Sequence, residues 1–184
     1  EVLIMNSKAK KGALTGMLCA LAFATVVAIR IPVVLFLKYE AKDIIIAMGG
    51  FIFGPLTAFI ISIIVSFMEM ITISTEGYVG FFMNVISTCS FVCTASYIYK
   101  KKHSIYGAIV GLVVGVILAT GSMLLFNYIV MPWYKNMPRE AVAKMLIPTF
   151  LPFNLAKHSI NAGIILLIYK PIVIGLRKAN LLVK

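Results

Sequence analysis

Acidic residues are scarce: six Asp and Glu in 184 residues, against seventeen Lys and Arg. Charged residues of both signs make up 12% of the chain and hydrophobic ones 61%. The mean hydropathy is +1.03. So few charges leave too little polar surface to cover that much apolar area in water, which excludes a water-soluble domain and makes the chain an integral membrane protein. Cysteine is nearly absent as well. Cys19 stands alone, and Cys89 and Cys93 lie one helical turn apart within an apolar run, so the three are read as small packing residues with no disulfide or metal signature. Catalytic motifs are missing. There is no G-x-x-x-x-G-K-[S/T] phosphate loop, no Ser in a G-x-S-x-G setting and no H-E-x-x-H helix, so the common ATPase, hydrolase and zinc-protease arrangements lack their residues. Glu1 in place of Met is read as trimming, and the apolar run in "EVLIMNSKAKK" is too short for a signal peptide.

What the chain does have is long apolar runs. About 20 helical residues cross a hydrocarbon core, and six runs are candidates: 12–29, 40–53, 56–74, 78–99, 104–128 and 147–169. No linker or low-complexity tract separates them, so the expectation is a single all-α integral membrane domain, residues 1–184, built as a six-transmembrane-helix bundle. The second run is short, ~18 Å from Lys42 to Phe53 at 1.5 Å per residue, and implies a thinned or protein-lined region. If the six alternate, Lys8, Lys10, Lys11, Lys100, Lys101, Lys102, Lys170, Arg177, Lys178 and Lys184 fall on one side. That side is the cytoplasm by the positive-inside pattern, with both termini there. The formal charge of +11 is thereby assigned to lipid headgroups and orientation, and no nucleic-acid partner is expected. In the long outer connection, "MPREAVAKML" reads as a short interfacial helix: Pro138 suits its start, and Glu140 can pair with Lys144.

Polar residues inside the spans stand out against this background. The stretch "LPFNLAKHSIN", 151–161, places Asn154, Lys157 and Asn161 at i, i+3, i+7, on one stripe of the sixth run. A charge near the bilayer centre costs ~2.5–3.5 kcal/mol on insertion scales and by default marks a functional site. Asn84 in the fourth run and Asn127 at the outer end of the fifth lie at a similar depth, so an outward-facing polar pocket is expected. Each has a bland alternative. Lys157 can snorkel, the two Asn can bond neighbouring helices, Glu69 can reach the headgroups, and His158 can be a packed or interfacial side chain. Small residues recur every four positions in the first run (Gly12, Gly16, Ala20, Ala24, Ala28) and the fifth (Gly107, Gly111, Gly115, Ala119). Such ridges let another helix approach closely. The fifth is assigned to internal packing; the first is either that or a docking surface for a separate membrane protein.

Beyond these readings, the chain resembles a known family. "FLKYEAKDI" (36–44), "GGFIFGP" (49–55), "GYVGFFMN" (77–84), "FNYIVMPWY" (126–134), "MPREAV" (137–142) and "LIPTFLPFNLAKHSIN" (146–161) look like the riboflavin-specific substrate-binding subunits of energy-coupling-factor (ECF) vitamin transporters. The resemblance implies a non-enzymatic subunit in a prokaryotic cell membrane that captures riboflavin as substrate, with no cofactor, and works with a transmembrane coupling subunit and two ATPase subunits. It implies that Asn127, Asn154 and Lys157 hydrogen-bond the flavin, that Gly80, Met83 and Asn84 line the cavity, and that the first outer loop, with Phe36, Leu37, Tyr39 and Glu40, closes over it. Gly16, Ala20 and Ala24 would then meet the coupling subunit. A sister subunit for another vitamin, a membrane enzyme and a structural bundle are the alternatives.

Overall fold

In a computed structural model of the chain, residues 7–34 and 37–178 are described. Helix α1 (Ser7–Ala28) leads into an antiparallel hairpin, β1 (Arg30–Val34) and β2 (Leu37–Glu40). Then follow α2 (Lys42–Phe53), α3 (Pro55–Thr72), α4 (Gly77–Thr88), a π-helical turn Cys89–Cys93, α5 (Thr94–Lys102), α6 (Ile105–Tyr134), α7 (Arg139–Met145), a second π-helical turn Leu146–Phe150, and α8 (Leu151–Lys178).

Among the described residues, five stretches are long and apolar enough to cross a membrane: Ala9–Ala28, Pro55–Thr72, Gly77–Lys102, Ile105–Tyr134 and Arg139–Pro171. The remaining helix, α2, has twelve residues and sits inside the bundle, with Ile46, Ala47 and Met48 buried. Gly54, at φ 95°, makes the break between α2 and α3, and Pro55 opens α3 where its missing N–H costs nothing.

The core explains which faces turn inward. Gly111 and Gly115 of α6 are pressed against α5 and the π-helical turn before it, where an added Cβ would come within 2.7 Å of the Ala95 carbonyl oxygen and 2.6 Å of the Phe91 carbonyl oxygen, respectively. Backbone cannot yield to such contacts, so this ridge serves internal packing. The ridge on α1 is different: Gly16, Ala20 and Ala24 are exposed, and a Cβ on Gly12 or Gly16 would meet nothing within 4 Å.

Three features depart from the sequence reading. Residues 30–34 and 37–40, in the stretch expected as the first outer loop, form the hairpin, with Arg30 opposite Glu40, Ile31 opposite Tyr39, and an irregularity between Pro32 and Val34 where Pro has no N–H to give. A two-stranded hairpin is marginal alone, and this one is tied down by Arg30 Nη1 donating to the Ile73 carbonyl at 2.8 Å. The fifth apolar run continues as helix past residue 128 to Tyr134, through Pro132; a Pro so close to the end forfeits only one bond of the last turns. The short helix expected in "MPREAVAKML" is present as α7, and it runs through the π-helical turn directly into α8.

Candidate functional site

A cavity opens where β2, α4, α6 and α8 meet, and each helix brings side chains to it at its own period. From β2 come Leu37, Lys38 and Glu40; from α4, Gly80, Met83 and Asn84. From α6 come Met123, Asn127 and Met131, one helical turn apart; from α8, Phe153, Asn154 and Lys157. Of the residues expected at the site, eight therefore line one cavity: Asn154, Lys157, Asn127, Asn84, Met83, Gly80, Leu37 and Glu40. Phe36 lies outside the described residues. Tyr39 is placed elsewhere: its ring lines a neighbouring apolar groove, and its hydroxyl donates to Asn161 Oδ1 at 2.8 Å. Alternation along β2 turns Tyr39 to the face opposite Lys38 and Glu40, while Leu37, at the start of the strand, still reaches the cavity. Burial pushes the Tyr39 phenol above its usual range, with the Asp43 carboxylate adding to the effect, so the hydroxyl stays a neutral donor.

The two buried amides are held by their own helices. Asn127 Nδ2 donates to the Met123 carbonyl at 2.7 Å, and Asn154 Nδ2 donates to the Phe150 carbonyl at 2.8 Å. The latter carbonyl belongs to the π-helical turn that feeds α8, where the looser i→i+5 pattern frees backbone groups for side chains. With its nitrogen so engaged, Asn127 is left with Oδ1 buried and without a hydrogen-bond partner among the described residues, an acceptor whose orphaning costs ~1–3 kcal/mol unless a donor reaches it. Lys157 is 8% exposed and feels the charges of Glu40 and Glu69, yet no carboxylate among the described residues comes within ion-pairing distance of its ammonium. Its three N–H donors remain for a ligand.

Polar groups of both kinds thus converge between walls of Met83, Met123, Met131 and Phe153, soft and flat surfaces suited to an aromatic ring. The chemistry fits a planar polar molecule. The free volume, about 90 Å³, is below the ~300 Å³ at which small-molecule sites begin, so a ligand of that kind enters only with movement of the lining side chains or of the hairpin.

Several polar residues that sequence left open now have partners. Glu69 does not reach the headgroup region. It is 1% exposed, paired with Lys42, and accepts from Asn84 Nδ2 at 3.2 Å. His158 is a packed side chain: it is fully buried, lies 5.1 Å from the Phe91 ring centre, and has Nε2 3.4 Å from Ser87 Oγ. Asn161, the third member of the α8 stripe, bonds the hairpin and α2, with Nδ2 3.4 Å from the Glu40 carbonyl oxygen and from Asp43 Oδ2. The cavity residues that sequence reading missed had a signal: Met123 and Met131 flank Asn127 at i±4, Phe153 precedes Lys157 by four and Ser87 follows Asn84 by three. Arg30 and Lys38 had none, because an expected loop has no period.

Comparison with known proteins gives a consistent result. The chain is similar to a riboflavin transporter, RibU, of Staphylococcus aureus (strain TCH60), with 27% identity over 90% of this chain and 92% of that one. It is also similar to the riboflavin transporter FmnP of Bacillus subtilis (strain 168), with 26% identity over 88% of this chain and 91% of the relative. Among solved structures, the S component of a bacterial ECF transporter superposes with a TM-score of 0.79 at 27% identity, covering 92% of this chain and 98% of that one. The family described as "ECF transporter, substrate-specific component" matches residues 10–169, and with nearly all of the helical bundle inside that match, the chain belongs to the substrate-specific components of ECF transporters.

Proposed function

We propose that this chain captures riboflavin at the outer face of a prokaryotic cell membrane and delivers it for ATP-driven uptake by separate coupling and ATPase subunits. One observation carries the reading: Asn84, Asn127, Asn154 and Lys157 converge on a single cavity walled by Met and Phe. The relatives named as riboflavin transporters support the choice of ligand. In this reading the isoalloxazine carbonyls and ring nitrogens take hydrogen bonds from Lys157 and the Asn amides. Asn127 Oδ1 gains the donor it lacks, from the flavin N–H or a ribityl hydroxyl. Met83, Met123 and Phe153 contact the ring faces, and Leu37 and Glu40, with Gly80 giving clearance on α4, close the outer side.

The topology in this reading is a single domain of six spans, with α2 as the short second span and both termini in the cytoplasm, where the Lys clusters at residues 8–11 and 100–102 face anionic lipids. The exposed ridge of Gly16, Ala20 and Ala24 is the surface for the transmembrane coupling subunit, which itself works with two ATPase subunits. Riboflavin is substrate throughout, and the cycle within this chain needs no cofactor.

The test is the absorbance and flavin fluorescence of the protein purified in detergent, before and after riboflavin is added. A yellow protein that quenches the flavin at one equivalent is the expected result. A colourless protein that leaves the fluorescence unchanged contradicts the riboflavin reading and redirects attention to other vitamins.

A further inference from the structure

Arg30 and Glu40, which line the cavity, belong to a buried group of charges that continues behind its wall to Lys42 and Glu69, which do not. Lys42 is fully buried, Glu69 is 1% exposed and Glu40 3% exposed. Lys42 Nζ pairs with Glu69 and lies 3.0 Å from Glu40 Oε2. The other oxygen of Glu40, Oε1, lies 3.3 Å from Arg30 Nε, and Arg30 reaches on to the Ile73 carbonyl just after α3. Glu69 in turn accepts from Asn84.

The two halves of this group sit on different elements. Arg30 and Glu40 face each other across the hairpin, whereas Lys42 opens α2 and Glu69 belongs to α3. Glu40 is therefore held from the bundle side by a cation that is itself fixed in place by a second carboxylate. Desolvating these ions is expensive and is offset only while all the partners are in contact. If the hairpin lifts, Lys42 keeps Glu69 but loses half of its compensation, and Glu40 with Arg30 moves toward water.

We propose that Lys42, with Glu69 as its counter-ion, is a positioning residue: it latches the hairpin through Glu40 and so fixes the outer wall of the binding cavity without touching the ligand. The latch is a property of the ligand-free chain. Its effect on flavin release rests on the riboflavin reading, so the two are measured separately.

The first measurement is hydrogen exchange of the backbone amides of residues 30–40 in the ligand-free protein. Glu40→Gln keeps the shape of the lid side chain and removes its charge. The pair Lys42→Met with Glu69→Met removes the bundle half while leaving no lone buried charge, a replacement that buried ion pairs often tolerate. Each variant is expected to speed exchange in the hairpin on the order of 10-fold, with exchange in α3 and α6 unchanged. All three substitutions together go no further than the larger single effect, because both halves act through one contact. Lys42→Arg, which keeps the charge, is expected within about 3-fold of wild type. Unchanged hairpin exchange in Glu40→Gln, or effects of the two halves that multiply, overturns the latch. If the Met pair does not give folded protein, Glu40→Gln and Lys42→Arg still decide it. The second measurement is the rate of riboflavin release by fluorescence recovery, expected to rise with hairpin exchange across the same variants. Faster exchange with unchanged release keeps the latch and denies it a part in holding the flavin; no flavin binding by the wild type defeats the riboflavin reading and leaves the exchange result standing.

Discussion

Helices α1 and α6 carry the same sequence pattern and use it in opposite ways. In α6, Gly111 and Gly115 lie so close to the backbone at Ala95 and Phe91 that a single methyl group has no room. In α1, Gly16, Ala20 and Ala24 face outward, and Gly12 and Gly16 have nothing near the position of a Cβ. A small residue every fourth position says that a helix can come close; it does not say whose helix. The α6 ridge is satisfied within the chain and, by fixing α6, holds Asn127 opposite Asn154 and Lys157. The α1 ridge is satisfied by nothing within the described residues, and the proposed coupling subunit fits it.

The sharpest way to break this contrast is to fill both ridges. Gly115→Leu is expected to cost about 3 kcal/mol or more, because overpacking here meets a carbonyl that cannot move, and thermal unfolding in detergent reads it as a large fall in melting temperature or loss of folded protein. Next in size is the cavity that the α6 packing supports. Lys157→Met and Asn154→Leu are each expected to weaken riboflavin binding by about 10- to 100-fold, the equivalent of ~1.4–2.8 kcal/mol, with the melting temperature of the ligand-free protein nearly unchanged. Tyr39→Phe, which removes one hydrogen bond to Asn161, is expected to cost ~1 kcal/mol in unfolding free energy and to leave the flavin spectrum as it is, since the hydroxyl is outside the cavity. Smallest on the isolated chain is Ala20→Leu, within about 0.5 kcal/mol in stability and without effect on flavin affinity. Its effect is expected in co-purification with the coupling subunit and in uptake by cells, both of which are lost. An Ala20→Leu protein that still assembles and transports removes the docking half of the contrast.

Much of this was legible in the sequence because hydropathy and spacing are local properties. The long apolar runs, the polar stripe through Asn154 and Lys157, and the α7 helix in "MPREAVAKML" all follow from residues within a few turns of one another. The hairpin was not legible: "RIPVV" and "LKYE" are short, interrupted by Pro32, and stabilised by a distant carbonyl at Ile73. Nor was the Lys42–Glu69 pair, whose members are far apart in the chain and meet only once α2 and α3 have packed. Glu69 alone looks like an end-of-helix acid. Asn161 shows the limit from the other side: its place on the stripe was correct, but one more turn along α8 carries it past the cavity to Asp43 and the hairpin.

Whether the polar stripe of α8 holds riboflavin is decided by calorimetric titration of riboflavin into wild type and Lys157→Met, both shown to be folded. One flavin is expected to bind per wild-type chain, with an affinity at least about 10-fold weaker in Lys157→Met, a loss of ~1.4 kcal/mol or more. Equal affinities in the two proteins, or no heat of binding in the wild type, would contradict that role for the stripe.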